Sequence, residues 1–209
     1  MASAERHPLL DGAPLSLVPR EEEAAAAPDM PVLLLLGDGP EARALARLAA
    51  ECGFAVDMAV RAPADASAPE GAAAEAQAEA PAEAPEIAGL RRYLRLAPDE
   101  SAVERCAIGR RHSVCVFPED AEDATRALED VLASHAFFVG LWATRAERER
   151  IWAELREAGV PDAELAAVRC PLGLGDLRDM GGPVASAVAV LADLLAARAG
   201  GRQRLRQED

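Results

Sequence analysis

Five apolar residues, Val32-Leu33-Leu34-Leu35-Leu36, run directly into Gly37-Asp38-Gly39-Pro40-Glu41-Ala42. A continuous apolar run is the signature of a strand covered on both faces, because an edge or half-exposed strand would alternate. The two glycines allow a sharp turn and let backbone N–H groups approach a phosphate at a helix N-terminus. Pro40 and Glu41 suit the first turn of that helix, where no N–H is needed and negative charge is favoured. Strand, GxGxxA turn and helix in this order read as a dinucleotide-binding βα turn, or as a tight βα turn that binds nothing.

The helix predicted from Pro40 carries an apolar stripe of Ala44, Leu45, Leu48, Ala49 and Cys52 and ends at Gly53. Phe54–Val60 then reads as a second strand, which completes a βαβ unit. In a nicotinamide or flavin site an acid at the end of this strand would hold the ribose hydroxyls. Here the strand ends Val60-Arg61-Ala62-Pro63, and Asp57 lies mid-strand. Arg61 either faces a phosphate or is a solvated strand-end arginine.

Residues 64–86 are low-complexity Ala/Glu/Pro with no apolar face, an insertion expected to be flexible or transiently helical. Leu90–Leu96 alternates like a strand near a sheet edge, and a short helix from Asp99 to Cys106 follows. Ser113–Phe117 is a buried type of strand. Glu119 and Asp120 lie just past it, either facing a ligand beyond the strand end or serving as N-cap and first-turn acid. Phe137–Leu141 is the next strand, and Thr144 is a natural N-cap for a helix that buries Ile151, Trp152 and Leu155 and stops at Gly159. Arg145 and Arg148 sit in that helix's first turn, against the dipole, where they either meet an anion or pair with Glu147 or Glu149. Val168–Leu177 is a structured Gly/Pro loop. The helix from Val184 to Arg198 is apolar almost all round, so it is buried on the sheet or shared with a second subunit.

The net charge is −14, but residues 1–31 contribute −4 and residues 64–86 contribute −6, which leaves an ordinary −4 for the rest. No basic footprint for nucleic acid exists. All 22 basic residues are arginine, which excludes a catalytic lysine. The four cysteines are scattered, against a zinc site or a disulfide framework, and Cys52 and Cys115 read as small buried residues. No apolar run of about 18 residues and no basic-then-apolar leader is recognised, so the expectation is a cytoplasmic protein with no membrane partner.

Four blocks, LLLLGDGPEARALARLAAECGF, FFVGLWATRAERERIWAELREAGV, AELAAVRCPLGL and PVASAVAVLADLLAAR, carry a resemblance to the C-terminal Rossmann-like domain of the xanthine dehydrogenase accessory proteins. The resemblance covers about residues 31–200 apart from the insertion, and its most specific part is Cys170-Pro171-Leu172-Gly173. It implies a chaperone that binds the molybdenum cofactor (molybdopterin) and delivers it to a xanthine dehydrogenase-type molybdoenzyme. By position, it places Gly37 and Gly39 on the pterin's phosphate, with Thr144, Arg145, Arg148, Cys170, Pro171 and Gly173 in two further family segments. The chain departs from the family in polar positions: there is no Asp-Asp-Arg ending to the second strand. Phe117-Pro118-Glu119-Asp120 stands for a Thr-His-Asp-His segment, and Asp179-Met180-Gly181-Gly182-Pro183 lacks the lysine of a GK-x-P segment.

The resulting expectation is an α/β Rossmann-like, doubly wound domain with a mostly parallel sheet of five or six strands over residues 32–200. A disordered tail over 1–31, the insertion at 64–86 and a charged tail over 201–209 accompany it. The candidate cofactor-binding set is Gly37, Gly39, Pro40, Arg61, Glu119, Asp120, Thr144, Arg145, Arg148, Cys170, Pro171 and Gly173, with no catalytic or metal-ligating residue. The alternatives are a small NAD(P)-dependent oxidoreductase, disfavoured by the missing ribose acid and missing lysine, and a ligand-free interaction module, a homodimer through the Pro183–Arg198 helix.

Overall fold

A computed structural model describes residues 30–62, 87–173 and 181–208. Residues 1–29 of the expected tail over 1–31, the insertion at 64–86 and the Leu174–Leu177 part of the loop lie outside the described residues. Five strands, β1 (Val32–Leu36), β2 (Ala55–Arg61), β3 (Leu90–Leu96), β4 (His112–Val116) and β5 (Phe138–Leu141), form one sheet in the order β3-β2-β1-β4-β5. Every neighbouring pair is parallel. The chain builds outward from β1 to β3, then returns to the other side of β1 for β4 and β5. This is the doubly wound α/β fold, with its switch point between β1 and β4, where such sheets open a crevice beyond the strand ends.

β1 is apolar throughout because it is central and covered twice. Leu33 and Leu35 face a layer formed by α1 (Pro40–Glu51) and α6 (Gly182–Glu208), with Leu45, Val190 and Leu194 packed above them. Leu34 and Leu36 face the opposite layer, where α2 (Ala102–Cys106), α3 (Ala121–Leu132) and α4 (Arg145–Glu157) contribute Leu128, Val131, Ile151 and Leu155. Alternate residues of one strand therefore serve two cores. Truncating any one of these leucines to alanine costs about 2–5 kcal/mol. A short helix α5 (Asp162–Ala167) leads into Arg169, which bridges to Gly140 in parallel and lengthens the β5 edge by one contact.

Several expectations move. β2, β4 and β5 each shift by one residue at one or both ends, and α2 starts at Ala102, capped by Ser101, instead of at Asp99. Cys52 is exposed, because it is the C-cap of α1, where the chain already turns into Gly53. Cys115 is buried as expected. α6 continues through Gly200 to Glu208, since nothing breaks the helix at the two glycines. Its Gly182–Gly200 segment has the length and composition of a membrane span, with a mean hydropathy of 1.4, although Ser186, Asp193 and Arg198 interrupt its apolar run. Ala187, Val190, Leu191 and Leu194 of that segment are packed into the protein core, while Val184, Val188 and Leu195 are exposed.

Asp57 points into the α2/α3 layer and is 0% exposed. It accepts from Arg91 Nε at 2.7 Å and from Arg92 Nη2 at 2.5 Å. Burial pushes its carboxyl up, but the hydrogen bonds and charges of the two arginines outweigh that, and it lies below the usual carboxylate range. This acid is consumed in tying β3 to β2.

Candidate functional site

The β1–α1 turn is built from two glycines with different reasons for being glycine. Gly37 has φ +102° and donates to the Ala59 carbonyl at 2.9 Å. A Cβ on it would stand 2.1 Å from the Phe117 carbonyl oxygen, so only glycine lets the ends of β1 and β4 approach. Gly39 is the N-cap of α1 with φ −55°, and a Cβ there would meet nothing closer than Glu41 Oε2 at 3.9 Å. No side chain caps α1, and Pro40 fills N1. The N–H groups of Glu41 and Ala42 lack intrahelical acceptors by helix geometry, so they face the space that Gly39 leaves. Asp38 turns aside to accept from Arg43 Nη2 at 2.8 Å and from the Tyr93 hydroxyl at 3.0 Å.

Beside this turn lies a cleft of about 550 Å³, between the ends of β1, β2 and β3 and the start of α3. Gly37, Arg61, Glu119 and Asp120 line it, as do Asp38, Tyr93 and Arg95. Arg61 does not present its guanidinium for a phosphate in the way one sequence reading had it. Its Nη1 donates to the carbonyls of Ala97, Pro98 and Glu100 at 3.1, 3.1 and 2.7 Å, which pins the β3–α2 loop. Asp120 is the N-cap of α3 and accepts from the Asp123 N–H at 2.9 Å. Asp123 accepts from the Glu119 N–H, and Arg126 pairs with Glu122. The N-terminus of α3 is thus filled by its own carboxylates. Burial first, and then the Asp38 carboxylate, raise the Tyr93 hydroxyl above its ordinary value, so it stays a donor to Asp38.

The remaining candidates gather at the end of β5, outside the cleft lining. Thr144 and Glu147 form a complete capping box on α4. Arg145 is exposed. Arg148 folds back: its Nη1 donates to the Cys170 carbonyl at 3.3 Å, it pairs with Glu149, and its Nε is buried without a hydrogen-bond partner. The Cys170-Pro171 bond is cis. Leu172 is fully buried, and the Gly173 N–H donates to Asp193 of α6 at 2.9 Å, as does Arg169. Gly173 has φ +79°, and a Cβ there would crowd Val190 and Ala189 of α6.

The two groups are joined by residues that sequence reading passed over. The Phe117 and Trp142 rings lie 5.8 Å apart, and Trp142 flanks Gly173. A line from Gly37 through Phe117 and Trp142 to Gly173 therefore runs along the strand ends. Asp38 was visible only as part of the turn, and its partner Tyr93 depends on β3 register, which no short-range signal carries.

Burial pushes the Cys106 thiol up to about 11 and raises the Cys115 thiol as well, so neither of these two is a reactive group. Among the described residues, no group of three or more metal-ligating side chains is present.

Comparison with known proteins agrees with the fold. A solved structure described as a xanthine dehydrogenase from Bacillus halodurans superposes with a TM-score of 0.56 at 17% identity, over 82% of this chain and 43% of that one. The chain thus spans less than half the length of that relative. Among curated protein sequences nothing matches this chain. The model of the XdhC Rossmann domain matches residues 33–194. That span includes both ends of the site line, four whole strands, β1 from Leu33 onward and most of α6 before Arg198, and on it the chain belongs to the XdhC Rossmann domain family.

Proposed function

We propose that this domain holds the molybdenum cofactor for a xanthine dehydrogenase-type molybdoenzyme, as an accessory protein without turnover of its own. The observation that carries the reading is the N-terminus of α1, which has no side-chain cap and an open Gly39. A phosphate placed there would meet free N–H groups and the positive end of the helix dipole. Gly37 supports the reading indirectly, because it sets the turn that aims α1 at the crevice. The cofactor would supply the redox chemistry of the partner enzyme; this chain's residues would bind and orient it. At the β5 end, Arg148, with its unpartnered buried Nε, adds a cation beside the Cys170 carbonyl, while Thr144, Cys170, Pro171 and Gly173 shape the backbone around it.

An oxidoreductase reading gains nothing from the structure, since Arg61, not an acid, ends β2 and is committed to three carbonyls. The test is equilibrium dialysis of the purified chain against molybdopterin cofactor and against NAD and NADP in parallel, with Gly39→Arg as control. The expected result is retention of the pterin, reduced at least tenfold in the variant. Retention of NAD or NADP alone, or of none of the three, overturns the proposal.

A further inference from the structure

Of the five large apolar side chains exposed among the described residues, three, Val184, Val188 and Leu195, stand on α6. The core is served by the other face of this helix, through Ala187, Val190, Leu191 and Leu194. The polar residues of the same stretch also turn inward. Ser186 is buried, Asp193 accepts from Arg169 and from the Gly173 N–H, and Arg198 lies over the rings of Phe54 and Phe137. The exposed positions from Val184 to Ala199 therefore carry no charge, whereas α1 and α4 turn Arg47, Glu51, Arg145 and Arg150 to solvent. An uncharged apolar face of this length marks a surface that something covers.

The face has a period as well. Ala185, Val188, Ala192, Leu195 and Ala199 are all exposed and follow one another at spacings of three, four, three and four, the a/d seam of a coiled coil. Its order of small, large, small, large, small reads the same in both directions, and Ala192 is the midpoint, seven residues from either end. A two-fold axis at Ala192 sets Ala185 against Ala199 of a second copy, and alanine at the axis lets the two backbones approach closely. A charge at that point would meet its like, and the seam has none. A lipid surface fits less well, because a helix lying in a membrane interface carries cations along its polar border. Here the one cation of the stretch, Arg198, is stacked on two rings of its own domain.

We propose that α6 is a homodimer interface in which the Ala185–Ala199 seams of two copies pack antiparallel about an axis at Ala192. The proposal does not depend on the cofactor reading. At about 1.5 Å per residue the seam is about 21 Å long, short of a standard interface, so the dimer is reversible with a Kd of about 10 μM.

The test is sedimentation velocity of the full chain between about 1 and 100 μM, across which it is expected to pass from monomer to dimer. Ala192→Glu and Ala192→Arg are each expected to weaken association about tenfold or more, and an equal mixture of the two to restore it, since residue 192 faces its own copy. Far-UV circular dichroism at the lowest concentration, expected to match the unaltered chain, separates a lost interface from a lost fold. Ala185→Glu is expected to associate more tightly with Ala199→Arg than with Ala185→Arg, and the reverse order overturns the antiparallel arrangement. A monomer throughout, or a dimer that Ala192→Glu leaves intact, overturns the proposal. A monomer that floats with phosphatidylcholine–phosphatidylserine vesicles, and no longer does so as Ala192→Glu, overturns it and assigns the seam to a membrane.

Discussion

The N-termini of α1 and α4 lie on the same edge of the same sheet and are finished in opposite ways. α4 begins with a capping box in which Thr144 and Glu147 satisfy each other's backbone donors. α1 begins with Gly39 and Pro40 and no cap at all. A structural helix start normally recruits a side chain, which is worth about 1 kcal/mol, so forgoing one is a cost unless something else supplies the acceptor. The comparison separates residues the protein needs for itself from residues it leaves open. Arg61, Asp120, Thr144 and Gly173 belong to the first kind, and Gly39 to the second.

The sharpest break would come from within the α1 turn. Gly37→Ala forces a Cβ against the Phe117 carbonyl at a positive φ, and a loss of about 3 kcal/mol or more in urea denaturation is expected. Full stability in that variant would show that β1 and β4 can separate and that the crevice is not fixed. Asp57→Asn, which removes an acid already consumed, is expected to cost about 3 kcal/mol, the low end for a buried pair because Arg92 is partly exposed. Its pH dependence carries a sign. The folded carboxyl titrates below its ordinary 3.8, so its stabilisation is complete above that value and disappears as pH falls through the lower folded value. The variant should lack this acid-side slope, and its retention of ligand would confirm that Asp57 has no part in the site.

Thr144→Ala should cost about 1 kcal/mol by thermal melting, the ordinary worth of a cap. A much smaller loss would weaken the contrast between the two helix starts. The smallest effect on stability belongs to Gly39→Ala, which is expected to change stability by no more than about 0.5 kcal/mol, because the chain-entropy gain at φ −55° with nothing in the way is offset by the N-cap preference for glycine over alanine. A larger loss would mean that the open space at Gly39 is needed by the fold, not by a ligand.

How much of this was legible in the sequence depends on the range of the interaction. β1, the turn and the caps at Thr144 and Asp120 are set by residues a few positions apart, and periodicity and cap chemistry reach that far. The parallel, doubly wound character of the sheet followed from βαβ logic. What the sequence could not display was commitment. Arg61 reads as a free cation until β3 brings the carbonyls of Ala97, Pro98 and Glu100 to it from more than thirty positions away. Arg148 reads as a first-turn surface arginine until the 168–173 segment folds alongside β5. Cys52 was misplaced for a local reason, since a helical stripe projected one residue too far falls on the cap.

The contact between Gly37 and Phe117 has a kinetic side. Two backbone hydrogen bonds, Gly37 N–H to Ala59 and Phe117 N–H to Leu36 at 2.9 and 2.7 Å, hold the rims of the crevice together. An aperture framed by main chain does not wait on a hinge. Association with this rim should therefore proceed at a rate set by encounter and orientation, and discrimination among ligands should appear in how slowly the right one leaves.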